Sequence, residues 1–189
     1  MLASIRALVV SLVLLTALTG IAYPLLTLGL AQSLFPRQAN GSLVMRDGRV
    51  IGSLLIGQAF DEARYFSGRP SATTPAPYDA AGSNGSNLAP TNPALAQAVA
   101  SRSASLASAY GKPNTPIPLD LVTTSGSGLD PDLTVAAMSY QIDRVAAARG
   151  VDPSVVRALV ERHAEAPLWG FLGQRHVNVL AVNLALDAN

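Results

Sequence analysis

The sequence of 189 residues contains no cysteine. This excludes disulfide scaffolds, thiolate metal sites and cysteine nucleophiles. Charged side chains are also scarce, because they make up 13% of the chain, whereas an average soluble domain has about a quarter. The 13 Lys and Arg residues nearly balance the 12 Asp and Glu residues. That balance argues against a general nucleic-acid-binding protein, which normally carries a basic surface.

Residues 7–36 carry no charged side chain at all, and the first part of this segment is almost continuously apolar. About 20 such residues are enough for a helix to cross a bilayer, so the sequence predicts a transmembrane anchor over residues 1–36. Pro24 predicts a kink in that helix. The alternative is a signal peptide cleaved near residues 29–31. It is disfavoured because the apolar segment is much longer than the ~7–15 residues of an ordinary signal core.

An uncharged anchor can pack against other helices only through small residues and hydroxyl groups. The residues of this kind that we expect at a packing surface are Ser11, Thr16, Thr19 and Gly20. The orientation of the anchor stays open on charge alone. Arg6 and the amino terminus favour a cytoplasmic N-terminus, but Arg37, Arg46 and Arg49 follow the span and favour the opposite.

Residues 37–189 are enough for one soluble domain with an ordinary core. Asp47-Gly48 predicts a hairpin turn between strands at 43–45 and 50–56. The apolar run Val177–Leu184 predicts a core strand at the other end of the domain. Three helices lie between them, and each is predicted to begin at an Asx-Pro pair. These pairs are Asn92-Pro93, Asp130-Pro131 and Asp152-Pro153. The sequence therefore predicts an α+β domain.

Apolar spacing predicts one buried stripe on each of these helices. The stripes consist of Leu95, Val99, Leu106 and Tyr110; Val135, Met138, Ile142 and Val145; and Val155, Val156, Leu159 and Val160. A segment rich in Ser, Gly and Pro, residues 67–93, precedes the first helix. A long loop of this composition is either a disordered linker or a functional loop that packs on the domain.

The most distinctive local segment is Ser125-Gly126-Ser127-Gly128, which lies directly before the predicted second helix. A glycine-rich loop at a helix N-terminus can bind phosphate through its free N–H groups, so these four residues are a candidate nucleotide site. A simple turn capped by Asp130 is the alternative, and the absence of a nearby lysine favours it. Ser127 lacks the Gly-x-Ser-x-Gly context of a hydrolase nucleophile. The only histidines, His163 and His176, have no metal-site spacing, and we assign no catalytic or metal-binding residue.

Seven blocks of sequence in the same order are similar to the C subunit of the Kdp-type high-affinity potassium-transporting P-type ATPase of bacteria and archaea. They are Gly52–Gln58, Tyr65–Ala72, Gly85–Leu88, Asp120–Thr123, Ser125–Pro131, Gln141–Ala146 and Val177–Leu180. Together with the single span, they extend the resemblance over nearly the whole chain. Asn84 and Asp132 depart from the expected pattern.

The resemblance implies an accessory subunit that is not an enzyme on its own. Its implied partners are a potassium-filter subunit, an ATP-hydrolysing subunit and the membrane, without nucleic acid. It also implies a catalytic chaperone that raises ATP affinity, with ATP as the ligand. The implied location is the plasma (inner) membrane, with a cytoplasmic N-terminus and an extracytoplasmic domain, where ATP is scarce. The alternatives are a membrane-anchored extracytoplasmic ligand-binding or interaction module and a tethered serine hydrolase that uses Ser127 with His163 or His176.

Overall fold

The computed structural model describes residues 2–112 and 114–188. The chain divides into two compact units, Met1–Val50 and Ile51–Asn189. The first unit begins with helix α1, Leu2–Ala17, continues through a π-helical segment, Leu18–Ala22, and ends its long helical stretch with α2, Tyr23–Leu34. The helical segment Ser4–Leu34 contains an 18-residue window with a mean hydropathy of 2.2 and is long and apolar enough to cross a membrane.

The π-helical segment lies immediately before Pro24, where the sequence predicted a disturbance of the helix. Proline has no N–H group, and its ring crowds the carbonyl four residues earlier, which here belongs to Gly20. In the wider turn, the Tyr23 N–H donates to Leu18 O, five residues back. The additional residue in this turn moves the Gly20 carbonyl out of the standard helical register.

A short helix and a hairpin follow the long helical stretch. Helix α3 is Pro36–Ala39, and strands β1, Leu43–Arg46, and β2, Arg49–Ser53, form a two-stranded sheet. The turn residues Asp47 and Gly48 have φ values of 52° and 75°. Positive φ at both positions is the conformation that Asp-Gly favours in a two-residue hairpin loop. The predicted hairpin is confirmed, with a shorter second strand.

The second unit contains four helices and three short strands among the described residues. In chain order they are α4 Pro93–Tyr110, β3 Asp132–Thr134, α5 Val135–Arg149, α6 Pro153–Arg162, β4 Ala164–Glu165, β5 His176–Asn178 and α7 Val179–Asp187. The strands form an antiparallel sheet in the order β3-β5-β4, with Val177 opposite both Leu133 and Ala164. Helices and small antiparallel sheets confirm the predicted α+β class.

The core lies where α5, α6 and α7 meet the sheet. Its largest fully buried apolar side chains are Phe66, Leu133, Met138, Ile142, Val145, Val156, Val160, Val177 and Val182. The predicted stripe of α5 is mostly buried. On α6, Val156, Leu159 and Val160 are buried as predicted, but Val155 is 57% exposed, so the prediction is wrong for that residue. The predicted stripe of α4 is only half-buried, and the helix contains no buried residue.

Two predicted elements differ in the structure. The second helix begins after Thr134, not at Asp130, because residues 132–134 pair with β5 as a strand. The hydroxyl of Thr134 caps α5 by accepting from the Ala137 N–H at 3.2 Å. The predicted strand Val177–Leu184 is strand only as far as Asn178 and then becomes α7. Asn178 caps that helix, and an apolar run alone does not distinguish a strand from a buried helix.

The segment before α4 packs on the domain, although its described secondary structure between β2 and α4 is one short 3₁₀ turn, Ala80–Gly82. Two buried side-chain amides hold its first residues. Asn183 accepts from the Phe66 N–H at 2.8 Å and donates to the Phe66 carbonyl at 2.9 Å. Gln141 pairs with the Ser67 backbone in the same way, at 2.9 and 3.1 Å. These amides provide the hydrogen bonds that a neighbouring strand would otherwise supply.

Candidate functional site

Ser125–Gly128, the candidate nucleotide site, forms a closed turn in the structure. The Ser125 hydroxyl accepts from the Gly128 N–H at 2.8 Å. The Ser127 hydroxyl accepts from the Leu129 N–H at 3.1 Å. The turn leads into β3 and not into a helix, so it lacks the helix dipole on which the phosphate-cradle interpretation depended. Two of the N–H groups that could have bound a phosphate are already satisfied within the chain.

The glycines of this turn allow another part of the chain to approach closely. Gly128 has a φ of +68°, and a Cβ atom there would lie 2.5 Å from Asn84 O and 2.8 Å from the Thr73 side chain. The Asn84 N–H donates to Ser127 O at 2.9 Å, and the Ser71 hydroxyl donates to Gly128 O at 2.7 Å. Residues 71–85 therefore pack closely against the Gly128 side of this turn.

Gly126 is in a different environment from Gly128. It does not have positive φ, and a Cβ atom built on it would meet nothing within 4 Å. The tight contact at this position is made by Gly85, whose Cβ would lie 2.9 Å from Gly126 O. Of the two glycines in the turn, only Gly128 is therefore required by its backbone conformation.

Arg69 lies against the residues just before this turn and is engaged within the chain. Its guanidinium donates to the carbonyls of Thr123 and Thr124 at 3.2 and 3.3 Å. It also forms an ion pair with Asp130 at 3.1 Å. The other carboxylate oxygen of Asp130 accepts from the Asp132 N–H, so Asp130 caps a turn before β3 and not a helix. The positive charge beside the turn is thus neutralised by the chain itself.

A cleft of ≈ 400 Å³ lies beside Arg69 and is predominantly acidic. Its ionisable lining residues are Arg69, Asp120, Asp130, Asp132 and His176. Burial raises the pKa of Asp132, although a hydrogen bond from Asn178 opposes that shift. His176 Nε2 lies 3.9 Å from the carboxylates of Asp132 and Glu165. Three aspartates would repel the phosphates of a nucleotide.

Among the residues that the structure describes, the hydroxyl of Ser127 contacts Ser125 and the Leu129 N–H and neither histidine. His163 Nδ1 lies 2.9 Å from Leu159 O, and His176 Nδ1 lies 3.1 Å from Gln174 O. Within residues 2–112 and 114–188, neither histidine shares a hydrogen bond with Ser127. In the same part of the chain, no cluster of three or more His, Asp or Glu residues could hold a metal ion. The geometry therefore gives no support to the hydrolase alternative.

The anchor residues predicted to pack against other helices lie on an exposed apolar helix. Ser11, Thr16, Thr19 and Gly20 are all exposed. The Thr19 hydroxyl donates to Leu15 O at 2.7 Å, so its hydrogen-bonding capacity is partly used within the helix. A Cβ atom on Gly20 would lie 3.9 Å from the Thr16 methyl group. These two residues, four apart, make a shallow notch of the kind that lets helices approach closely.

Several residues that organise the domain were not identified from the sequence. Besides Gln141 and Asn183, Arg149 forms an ion pair with Asp187 at 2.9 Å, and Tyr65 donates to the same carboxylate at 2.9 Å. For Gln141 and Asn183, the sequence offered one signal of a buried structural role, namely a polar residue within an otherwise apolar segment. A group of exposed apolar side chains at residues 168–172 had no such signal, because the run resembles an ordinary core segment.

Comparison with known proteins gives matches over nearly the whole chain. Residues 5–188 match the family described as KdpC: K+-transporting ATPase, c chain. The potassium-transporting ATPase KdpC subunit of Sorangium cellulosum is 57% identical over 187 residues, which are 99% of this chain and 98% of the relative. The KdpC subunit of Variovorax paradoxus is 56% identical over 185 residues, 98% of this chain and 96% of the relative. This chain therefore belongs to the KdpC family, the c chain of K+-transporting ATPases.

Proposed function

We propose that this chain is a non-catalytic accessory subunit of a K+-transporting ATPase, held in the membrane by residues 1–36 and needed for assembly of the complex. Its partners are the potassium-filter subunit and the ATP-hydrolysing subunit that the resemblance implies. The observation that carries the proposal is the family match over residues 5–188. It is supported by a single apolar span and by a domain whose Ser/Gly turn is closed on itself.

We propose that any increase in the ATP affinity of the complex is transmitted through contacts between subunits. The alternative is direct phosphate binding at Ser125, Gly126, Ser127 and Gly128. The internal hydrogen bonds of the turn, the ion pair of Arg69 with Asp130 and the acidic cleft beside it all favour the indirect route.

Titration of the full chain in lipid nanodiscs with ATP tests this route. We expect no saturable binding at millimolar ATP. Saturable binding at millimolar or lower concentration, abolished by Gly126→Val in a protein that stays folded, would establish the direct role. Gly126→Val is suited to this test because its Cβ has open space and therefore perturbs the fold little.

We propose that the N-terminus is cytoplasmic and the domain extracytoplasmic, as the resemblance implies. A single cysteine introduced by Ser108→Cys, on the exposed side of α4, should react with a membrane-impermeant maleimide on intact cells. Ser4→Cys, at the N-terminal end of the span, is the matched control and should react only after lysis. The reverse pattern would contradict this orientation. An intact mass lacking about 30 N-terminal residues would show cleavage of a signal peptide instead.

A further inference from the structure

The connection between β4 and β5 exposes a group of large apolar side chains. Residues 166–174 carry no charge, and four of them are more than half exposed. They are Leu168 (58%), Trp169 (78%), Phe171 (76%) and Leu172 (54%). Single exposed apolar residues are common on protein surfaces, but a contiguous group of this kind marks an interaction site. Trp169 is the only tryptophan in the chain.

Backbone hydrogen bonds hold this segment, the 167–173 loop, in a defined shape. Leu168 and Leu172 exchange two N–H to carbonyl bonds of 3.0 Å each, and the Gly170 N–H donates to Pro167 O at 2.9 Å. The rings of Trp169 and Phe171 lie 6.3 Å apart between centroids. The backbone that carries the two aromatic rings is therefore already held in shape, which lowers the entropic cost of binding a partner.

Trp169 is the third residue of the β-turn that the Gly170 N–H closes onto Pro167 O, a position that accepts positive φ. Its φ is +54°, a conformation that is rare for bulky residues. Glycine would adopt it without strain, and the side chain of Trp169 is mostly in solvent. A large aromatic ring at an exposed turn position whose backbone conformation favours glycine indicates a role for the ring outside the domain.

The charges beside the loop favour a protein partner over a lipid surface. Segments that bind membrane surfaces carry an excess of Lys and Arg around their aromatic residues. Here Arg175 is paired with Glu161 at 2.9 Å. Arg162 and the exposed Glu165 add one charge of each sign. An aromatic centre inside a charge-balanced polar rim is the usual composition of a protein–protein interface.

We propose that the 167–173 loop is an anchor that inserts Trp169 and Phe171 into an uncharged, apolar pocket on a neighbouring subunit of the K+-transporting ATPase. This inference rests on the proposed function as a subunit of that complex. Two aromatic side chains bury about 150–250 Å² each, whereas a standard interface buries about 800 Å² per partner. The loop is therefore the centre of a larger contact surface.

The first test compares recovery of the complex through a tag on the full chain. The double variant Trp169→Ala/Phe171→Ala should reduce recovery of the neighbouring subunits at least about tenfold, as expected for an interface centre. The control Leu119→Ala removes an apolar side chain that is 69% exposed elsewhere on the domain, and it should leave recovery unchanged. Equal recovery for wild type and the double variant would overturn the inference. Absence of partner subunits even with the wild-type chain would instead contradict the proposed function.

The second test identifies the occupant without removing the aromatic group. The photoreactive residue p-benzoylphenylalanine at position 169 of the assembled complex should cross-link to a protein subunit, whereas the same residue at position 119 should not. Cross-linking only to lipid, or none at all, would overturn the inference. In the full chain alone in liposomes, all tryptophan emission comes from Trp169. We expect brominated lipids to leave it unquenched, and strong quenching would assign the loop to the membrane.

Discussion

Gly126 and Gly128 are two residues apart, and only one of them is held in a conformation that requires glycine. Gly128 combines a φ of +68° with two contacts that a Cβ atom could not make. Gly126 has neither feature. A side chain at either position would hinder a ligand that approaches the backbone, whereas only a side chain at Gly128 should disturb the fold. Substitutions at the two positions therefore distinguish the structural role of the turn from its candidate role in phosphate binding.

We predict that Gly128→Val lowers the free energy of unfolding of the domain by at least about 2 kcal/mol, because positive φ and steric overlap act together. Gly126→Val should lower it by less than about 1 kcal/mol, since its Cβ enters open space. Urea unfolding of the full chain in mild detergent, followed by circular dichroism, measures both. Equal losses for the two variants would contradict this description of the turn.

Asp187 should contribute to the stability of the domain in a pH-dependent way. Burial raises its pKa, but hydrogen bonds from Arg149 and Tyr65 outweigh burial and hold the pKa below its usual value. A carboxylate whose pKa is lower in the folded state stabilises the fold above its unfolded pKa of about 3.9. That stabilisation is lost as the pH falls through the folded pKa. Asp187→Asn should therefore lower the stability of the domain at neutral pH. The variant should also lose less stability than the wild type as the pH falls.

Asp132 is the matched control, because the pKa of its carboxyl group is shifted in the opposite direction. Burial raises its pKa. Its ionisation therefore costs stability, and this cost grows as the pH rises through the folded pKa. Asp132→Asn should leave the stability unchanged or higher at neutral pH. Thermal unfolding between pH 3 and pH 7 checks both variants, and a loss of neutral-pH stability in Asp132→Asn as large as that in Asp187→Asn would contradict these assignments.

At the scale of helices and strands, local capping signals were predictable from the sequence and tertiary pairing was not. Asn92 and Asp152 cap their helices as predicted, by accepting from Ala94 N–H at 2.9 Å and Ser154 N–H at 2.7 Å. Asp130 has the same Asx-Pro signature but precedes a strand, because pairing with β5 overrides the local signal. The exposed 167–173 loop was also unpredictable, since apolar residues are normally assigned to the core.

Asn183 shows how α7 orders the long loop before α4. We predict that Asn183→Ala lowers the free energy of unfolding by about 2–5 kcal/mol, because it leaves the buried Phe66 N–H and carbonyl without partners. Asn92→Ala, which removes the cap of α4, is the control and should cost about 1 kcal/mol. Urea unfolding measures both. An effect at Asn183 no larger than at Asn92 would show that the amide does not hold the loop.

The anchor is predicted to take part in assembly through its small residues. Gly20→Leu should reduce recovery of the partner subunits, because it fills the notch beside Thr16. Leu14→Ile changes an exposed apolar side chain without changing its volume and should have no effect. Quantitative mass spectrometry of the tagged complex compares the two. Equal recovery would show that the span is only a tether and that assembly depends on the domain.

At the scale of the whole molecule, the chain combines an apolar span with a domain in which the most conspicuous candidate ligand site is closed by its own hydrogen bonds. The family and the α+β class were predictable from ordered blocks of sequence and from helix and hairpin signals. The interpretation of Ser125–Gly128 was not, because it depended on where α5 begins. The family match and the closed turn both support the proposal that the chain acts by assembling with other subunits.

Purification of the tagged full-length chain from its native membrane in mild detergent tests that claim most directly. We predict that the potassium-filter and ATP-hydrolysing subunits are recovered with it, and that the recovered complex hydrolyses ATP in response to K+ whereas the chain alone does not. Recovery of the chain without these subunits, or ATP hydrolysis by the chain alone, would contradict the account.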